Sequence, residues 1–217
     1  MELASMIQKS TLFADIPEDV IVRHVLPRGR IIQFQRGQYL VMPQQRVDNI
    51  SLLLSGSLHI QHLFPDGNYS LMDVLQPPEA LGADLVATKS RLAPYSVQAP
   101  EEGQLFSFPG DLLLRPGILP EQERLAGLMR LLTLVAQENM KKQYRLAALS
   151  RRGIRERVMA YLTMQAAKQG SSTVTIPFSR EELAAFLAVD RSALSHELGK
   201  MGKEGLISFR KNRFTLH

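Results

Sequence analysis

The 217-residue chain contains no cysteine. That removes disulfides, thiolate zinc sites, iron–sulfur clusters and thiol redox sensing together, so any sensing must use other groups. No apolar run approaches the ~18 residues that a membrane helix needs, and no membrane partner is expected. The start, Met1-Glu-Leu-Ala-Ser-Met-Ile-Gln-Lys9, lacks a charged segment followed by an apolar core. No secretory signal is read there, and a cytoplasmic location is the expectation. Common catalytic signatures are missing as well: there is no His-x-His with a downstream Glu, no Ser-His-Asp order, no P-loop and no Gly-x-Gly-x-x-Gly. A non-enzyme is expected. The enzymatic alternative, a cupin-type metalloenzyme with an accessory domain, would need clustered His and Glu ligands facing into a barrel.

What is present is unevenly distributed. Residues 141–217 carry 15 Lys and Arg against 6 Asp and Glu, a balance of +9, whereas residues 1–140 carry 11 against 15, a balance of −4. A basic C-terminal third on an acidic body is the electrostatic footprint of a nucleic-acid-binding domain joined to another. Hydrophobic residues make up 45% of the chain, and its length suffices for two modest domains with cores of their own.

The basic third ends in an ordered set of signals. Ser179 and Glu182 have capping-box spacing, and Leu183, Phe186 and Leu187 form an apolar stripe on the helix that follows. Ala184 and Ala185 are small enough for a second helix to approach. Asp190 is an N-cap for that helix, which turns Leu194, Leu198 and Met201 inward. Gly205 stops it, and residues 207–209 and 213–216 alternate as two strands around Lys211-Asn212. Helix, turn, helix and basic hairpin spell a winged helix-turn-helix, which places the second helix in the major groove of double-stranded DNA. Arg191, Ser192, Ser195 and His196 lie on its outer side. Arg191 suits guanine O6 and N7, and the others suit further base edges. Ser179 and Arg180 stand at the start of the first helix, where backbone N–H groups favour phosphate. Arg210, Lys211 and Arg213 put positive charge on the wing, beside the DNA backbone. The competing reading is a basic surface on a helical protein-interaction domain, with His196 merely solvated and the wing cations serving solubility.

Upstream, short strands are expected at Arg30–Phe34, Tyr39–Met42, Asn49–Leu54, Ser57–Phe64, Tyr69–Leu75, Tyr95–Ala99 and Gln104–Phe108. Turn residues separate them, among them Gly37, Pro43, Ser55-Gly56, Pro65-Asp66-Gly67 and Pro77-Pro78, which indicates an antiparallel barrel or jelly roll. A short helix is expected near Glu18 to Val25. A long helix follows Pro120. Leu125, Leu132, Asn139 and Leu146 recur at one heptad position, with Leu128, Val135, Lys142 and Leu149 three residues on. That reads as a homodimer seam in which Asn139 fixes register, with Leu125, Leu128, Leu132, Val135, Asn139 and Leu146 at the interface. The alternative is a helix packed on its own barrel. Arg151-Arg152-Gly153 marks a hinge. The fold class is thus α+β: an antiparallel β-roll over residues 1–115, a long helix and hinge over 116–149, and a winged helix-turn-helix over 150–217.

This order resembles the cyclic-AMP receptor protein / fumarate-nitrate regulator (CRP/FNR) superfamily of bacterial transcription factors, over nearly the whole chain. Leu12-Phe-Ala-Asp-Ile-Pro17 resembles the opening of its cyclic-nucleotide-binding-like roll. Gly37-Gln-Tyr-Leu, Leu54-Ser-Gly-Ser-Leu, Pro65-Asp-Gly and Leu81-Gly-Ala-Asp-Leu resemble roll strands and turns, and Arg191-Ser-Ala-Leu-Ser-His-Glu-Leu resembles its recognition helix. The resemblance implies a homodimer on palindromic DNA, controlled by a small molecule in the roll and acting on RNA polymerase. Gly82, Ala83, Asp84, Leu85, Tyr95 and Ser96, with Leu128 and Leu131 on the long helix, are the implied effector site.

The departures matter equally. Where the cyclic-nucleotide branch has a ribose-binding Glu, this chain has Ala83, and where it has a phosphate-binding Arg-Ser pair, the chain has Ala93-Pro94. A buried phosphate without a cation is costly, so cyclic AMP is not the expected effector. Arg91 is the one nearby substitute. The iron–sulfur branch is excluded with the thiols. Haem stays open but poorly served, because His59 and His62, three apart on a strand, point to opposite faces, and His24 stands apart from both. No cofactor is expected. Relatives often carry a second base-reading Arg at the position of His196 and a Gly at that of Ala188, so His196 implies altered base preference. A regulator that binds DNA constitutively, its roll a dimer scaffold, remains an alternative.

Overall fold

The computed structural model describes residues 2–64 and 69–217. The turn expected at Pro65-Asp66-Gly67 lies outside the described residues. In chain order the elements are helices α1 (Glu2–Gln8) and α2 (Glu18–Val20), strands β1 (Arg30–Phe34), β2 (Tyr39–Val41), β3 (Asn49–Ser55), β4 (Leu58–Leu63), β5 (Tyr69–Leu75) and β6 (Ala80–Leu81), helix α3 (Ala83–Val86), strands β7 (Ser96–Gln98) and β8 (Gly103–Pro109), and helices α4 (Asp111–Leu114), α5 (Glu121–Leu149) and α6 (Ile154–Gln169). Strand β9 (Thr173–Thr175), helices α7 (Arg180–Phe186) and α8 (Arg191–Lys203) and strands β10 (Ile207–Arg210) and β11 (Arg213–Leu216) complete the chain. Two compact units emerge: Met1–Pro65 with Asp73–Glu138, and Asp66–Met72 with Asn139–His217.

Strands β1 to β8 form two four-stranded antiparallel sheets, in the orders β1-β8-β3-β6 and β2-β7-β4-β5. The expected strands are present, and the two-residue alternation of β3 explains how one strand serves two cores. Ile50 and Leu52 point into a cluster with Phe13, Phe106, Phe108 and Leu131. Leu53 points the other way, into a cluster with Phe34, Leu58, Val97 and Leu105. Four elements were not legible as patterns: α1, α3, α4 and the two-residue β6. Each is too short to show a period. Tertiary contact makes β6, whose Leu81 and Ala80 pair with Ser51 and Leu52 of β3. Gly82 follows at φ +84°, and a Cβ there would come within 2.7 Å of the Asn49 carbonyl oxygen, so only glycine fits.

Helix α5 is 29 residues long, its first turn braced by the Arg124–Glu121 pair at 2.6 Å. It ends at Leu149, and α6 begins at Ile154.

The second unit is built around α6, α7 and α8, with the three-stranded sheet β10-β11-β9. The capping box forms as its spacing requires. The Ser179 hydroxyl accepts from the Glu182 amide at 3.3 Å, and the Glu182 carboxylate accepts from the Ser179 amide at 2.6 Å. Asp190 caps α8, accepting from the Ala193 amide at 2.8 Å. Leu183, Leu187, Leu194, Leu198 and Met201 are buried as their periodicity demands. Tyr161, Phe178 and Phe186 fill the space between α6 and α7, with ring centroids 4.6 to 5.9 Å apart. The α7–α8 turn passes through Ala188 at φ +52°, a left-handed conformation that penalises any Cβ. Ala188→Gly relieves this strain and is expected to raise stability by up to ~1 kcal/mol, measured as a higher denaturation midpoint at unchanged m-value.

Candidate nucleic-acid interface

Because Leu194, Leu198 and Met201 hold the inner face of α8, geometry turns the intervening residues outward. Arg191, Ser192, Ser195 and His196 are all exposed, grouped within the first two turns. One restriction appears that the sequence did not announce. The Ser192 hydroxyl donates to the Asp190 carboxylate, whose other partner is the Ala193 amide. These bonds hold the Asp190 carboxyl below the usual carboxylate range, the Ser192 bond contributing most. Ser192 therefore presents lone pairs outward, while Ser195 keeps a free choice of donor or acceptor. Ser179 is exposed, its oxygen already serving the cap.

The wing follows as a two-residue turn. Lys211, at φ +55°, and Asn212 connect β10 to β11 in a register that pairs Arg210 with Arg213. Asn212 ties this turn to the loop after β9: its side-chain amide donates to the Ile176 carbonyl, and its own carbonyl accepts from the Ile176 amide, both at 3.0 Å. Arg210, Lys211 and Arg213 are exposed. Arg180, grouped with the outward cations on sequence grounds, is placed differently. Its guanidinium lies 5.1 Å from the Phe209 ring centroid and 5.4 Å from that of Phe214, and donates to the Lys211 carbonyl at 3.4 Å.

Three further arginines went unrecognised as individual residues, because each read as general basic charge. Arg145, 9% exposed, donates to the Phe186 carbonyl at 3.2 Å and the Ser70 hydroxyl at 2.8 Å, with its guanidinium 5.2 Å from the Phe186 ring centroid. Arg157 donates to the carbonyls of Leu187 and Ala188 at 2.9 and 3.2 Å. Arg155 bridges Glu197 of α8 and Glu204 just past its end at 2.6 and 2.7 Å, and these bonds raise its pKa further. The first two fill the acceptors at the C-terminal end of α7, and the third clamps α8 to α6. Sequence alone carries no signal that separates such residues from surface cations.

In the first unit, the residues singled out for an effector do not share one lining. Ala83 and Leu131 belong to the core cluster containing Phe108, with Leu128 packed against it. Leu85 and Tyr95 belong to the cluster containing Phe34. Ser96 is fully buried, its hydroxyl donating to the Gln61 carbonyl at 3.0 Å. The Tyr95 hydroxyl donates to Asp84 at 3.1 Å, and burial, with the Asp84 charge second, pushes the phenol well above its ordinary value. Arg91, the substitute phosphate cation, is engaged by Asp48 at 2.8 Å and Asp111 at 3.1 Å. Ala93 sits fully buried where the cyclic-nucleotide branch keeps its cation. His24 bonds the Ile118 carbonyl through Nδ1 at 3.2 Å. Among the described residues, no group of three or more His, Asp and Glu is arranged to hold a metal ion.

The heptad positions on α5 differ in exposure. Leu125, Leu132, Asn139 and Leu146 are exposed, Leu132 and Leu146 to about 60%. Of the residues three on, Lys142 is exposed and Leu149 half-buried. Leu128 packs against the core of its own unit and Val135 is half-buried. Four residues on, Met129, Ala136 and Gln143 are exposed as well.

Comparison with known proteins agrees with this architecture. The family model described as "Cyclic nucleotide-binding domain" matches residues 31–115, and that described as "Crp-like helix-turn-helix domain" matches residues 156–217. The nitrogen fixation regulation protein FixK of Bradyrhizobium diazoefficiens is 24% identical over 83% of this chain and 75% of its own. Two solved structures share the fold. FixK2 from Bradyrhizobium japonicum has a TM-score of 0.66 at 14% identity, covering 87% of this chain and 92% of that one. CLP from Xanthomonas campestris, described as a c-di-GMP-responsive global regulator, has a TM-score of 0.67 at 15% identity, covering 90% and 97%. With a cyclic-nucleotide-binding-type roll, a long helix and a Crp-like helix-turn-helix in the same order, the chain belongs to the CRP/FNR family of DNA-binding transcription regulators.

Proposed function

We propose that the protein is a homodimeric, sequence-specific regulator that reads a palindromic site on double-stranded DNA. The observation that carries this reading is the outer face of α8, where Arg191, Ser192, Ser195 and His196 are exposed together beyond a well-capped N-terminus. A helix presented this way reaches base edges in the major groove with its N-terminal residues. Arg191 supplies a two-pronged donor for guanine, and His196 and Ser195 read neighbouring positions. Arg210, Lys211 and Arg213 sit on the wing, suited to phosphates that carry no sequence information.

Selection of bound duplexes from a random pool provides the cognate site, and two substitutions then separate readout from charge. Arg191→Ala is expected to cost ~1–3 kcal/mol on that site and to relax preference at one base pair. Lys211→Ala is expected to weaken selected and random DNA alike and to make the salt dependence less steep by about 0.9 in slope. Equal effects of both substitutions on both kinds of DNA would refute the assignment.

Self-association is proposed through α5. The exposed stripe of Leu125, Met129, Leu132, Ala136, Asn139, Gln143 and Leu146 repeats every seven residues and is apolar in its first half. A solvent-exposed row of this kind is stabilised when a second copy covers it, and Asn139 then pairs with its counterpart to set register. A pair of recognition helices also matches a two-fold symmetric site. Leu132→Glu is expected to shift the protein from dimer to monomer in sedimentation velocity, and to lower affinity for the full site more than for a half-site.

The effector, if the roll takes one, is proposed not to be a cyclic nucleotide. Phosphate recognition needs a cation, and Arg91 is held by two carboxylates while Ala93 is buried in the core. Cyclic AMP at millimolar concentration is expected to leave both thermal midpoint and operator affinity unchanged, since a ligand stabilises only the state it binds. A rise in midpoint with cyclic AMP would overturn this. RNA polymerase is the further partner that such a regulator would address.

A further inference from the structure

The wing is a short hairpin of four-residue strands whose exposed cations need to be held at one height beside α8 to be of use. Hairpins of this size have little stability of their own. Pairing with β9 holds β11, which leaves β10 at the sheet edge and the tip at Lys211 and Asn212 to be fixed. Asn212 fixes one side of the tip, through its paired bonds with Ile176. On the other side stands Arg180, the first residue of α7. Phe209 on β10 and Phe214 on β11 form a cross-strand pair with centroids 5.6 Å apart. The Arg180 guanidinium lies close to both rings and donates to the carbonyl of Lys211, the residue that takes the strained left-handed conformation at the tip. Phe214 is buried, but Phe209 is 39% exposed, so the arginine is also part of the cover over an apolar ring.

We propose that Arg180 is a positioning residue for the wing: it acts on DNA affinity through the placement of Lys211 and its neighbours and not through a contact of its own. The chemistry favours arginine for this task. A planar, weakly hydrated guanidinium can lie against aromatic rings and still donate in its own plane, whereas a lysine ammonium is a compact, strongly hydrated charge that cannot do both. One of its five N–H donors goes to the Lys211 carbonyl, and a direct phosphate contact through the others is the competing outcome of the test. This assignment rests on the wing being a DNA-contacting element, as proposed above.

The test uses the full chain, random-sequence duplex DNA as probe, and hydrogen exchange on the free protein. The variants are Arg180→Lys, Arg180→Met, Lys211→Ala and the double variant Arg180→Met with Lys211→Ala. In the free protein, amides of residues 209–214 are expected to exchange about tenfold faster in both Arg180 variants, with α7 and α8 as protected as before. On DNA, Arg180→Lys is expected to lose affinity along with Arg180→Met although it keeps the charge. The double variant is expected to match Arg180→Met within about twofold, because a misplaced wing has nothing further to lose at Lys211. Wild-type affinity in Arg180→Lys would overturn the proposal, as would losses that multiply in the double variant with the salt slope falling by about 0.9 for each residue. If the wild-type chain failed to bind DNA, the functional reading would fall. The exchange arm would still decide the role of Arg180, since undisturbed wing amides in both variants would overturn it.

Discussion

The DNA-reading half of this protein depends on how the end of one short helix is satisfied. Helix α7 stops after seven residues, and its last carbonyls, with those of the turn that follows, must find donors. Arg145 takes Phe186, and Arg157 takes Leu187 and Ala188. The charged donors also oppose the negative end of the helix dipole. These bonds fix where α7 lies against α5 and α6, and α8 is then set by the tight turn through Ala188 and by the Arg155 clamp. The outward display of Arg191 and His196 is a consequence of that chain of fixed positions.

This changes the meaning of the charge asymmetry. The C-terminal excess of cations resembles a single electrostatic surface. Residue by residue, the excess divides into two populations. Arg145, Arg155, Arg157 and Arg180 turn toward carbonyls, carboxylates and rings of their own unit. Arg191, Arg210, Lys211 and Arg213 face solvent. Arginine predominates in the first group because its fork satisfies several acceptors at once. Net charge is therefore a sound pointer to the kind of partner and a poor count of the contacts.

The roll keeps the family fold with different side chains at the positions singled out for a ligand. The sheet order and the tight turn at Gly82 remain, because backbone approach and strand pairing demand them. The positions that the resemblance pairs with nucleotide-holding groups carry Ala83 and Ala93, both buried, and the nearby Arg91 is held by Asp48 and Asp111.

Much of the fold was legible in the chain because its causes are local. Ser179 and Glu182 cap a helix wherever they stand three apart, Gly205 ends one, and alternation in residues 207–216 makes a hairpin. The strands at residues 30–34 and 69–75 could be bounded to the residue from their flanking turns. What only the tertiary structure decided is of another kind. An arginine has the same local pattern whether it meets water, a helix end or a phenylalanine ring, so the roles of Arg145, Arg155, Arg157 and Arg180 depended on neighbours 30 or more residues away. The heptad spacing was legible, but not that Leu128 packs on the core of its own unit while Leu132 stays exposed. Local sequence specifies hydrogen bonds a few residues long, whereas the partner of a long flexible cation is specified by the fold around it.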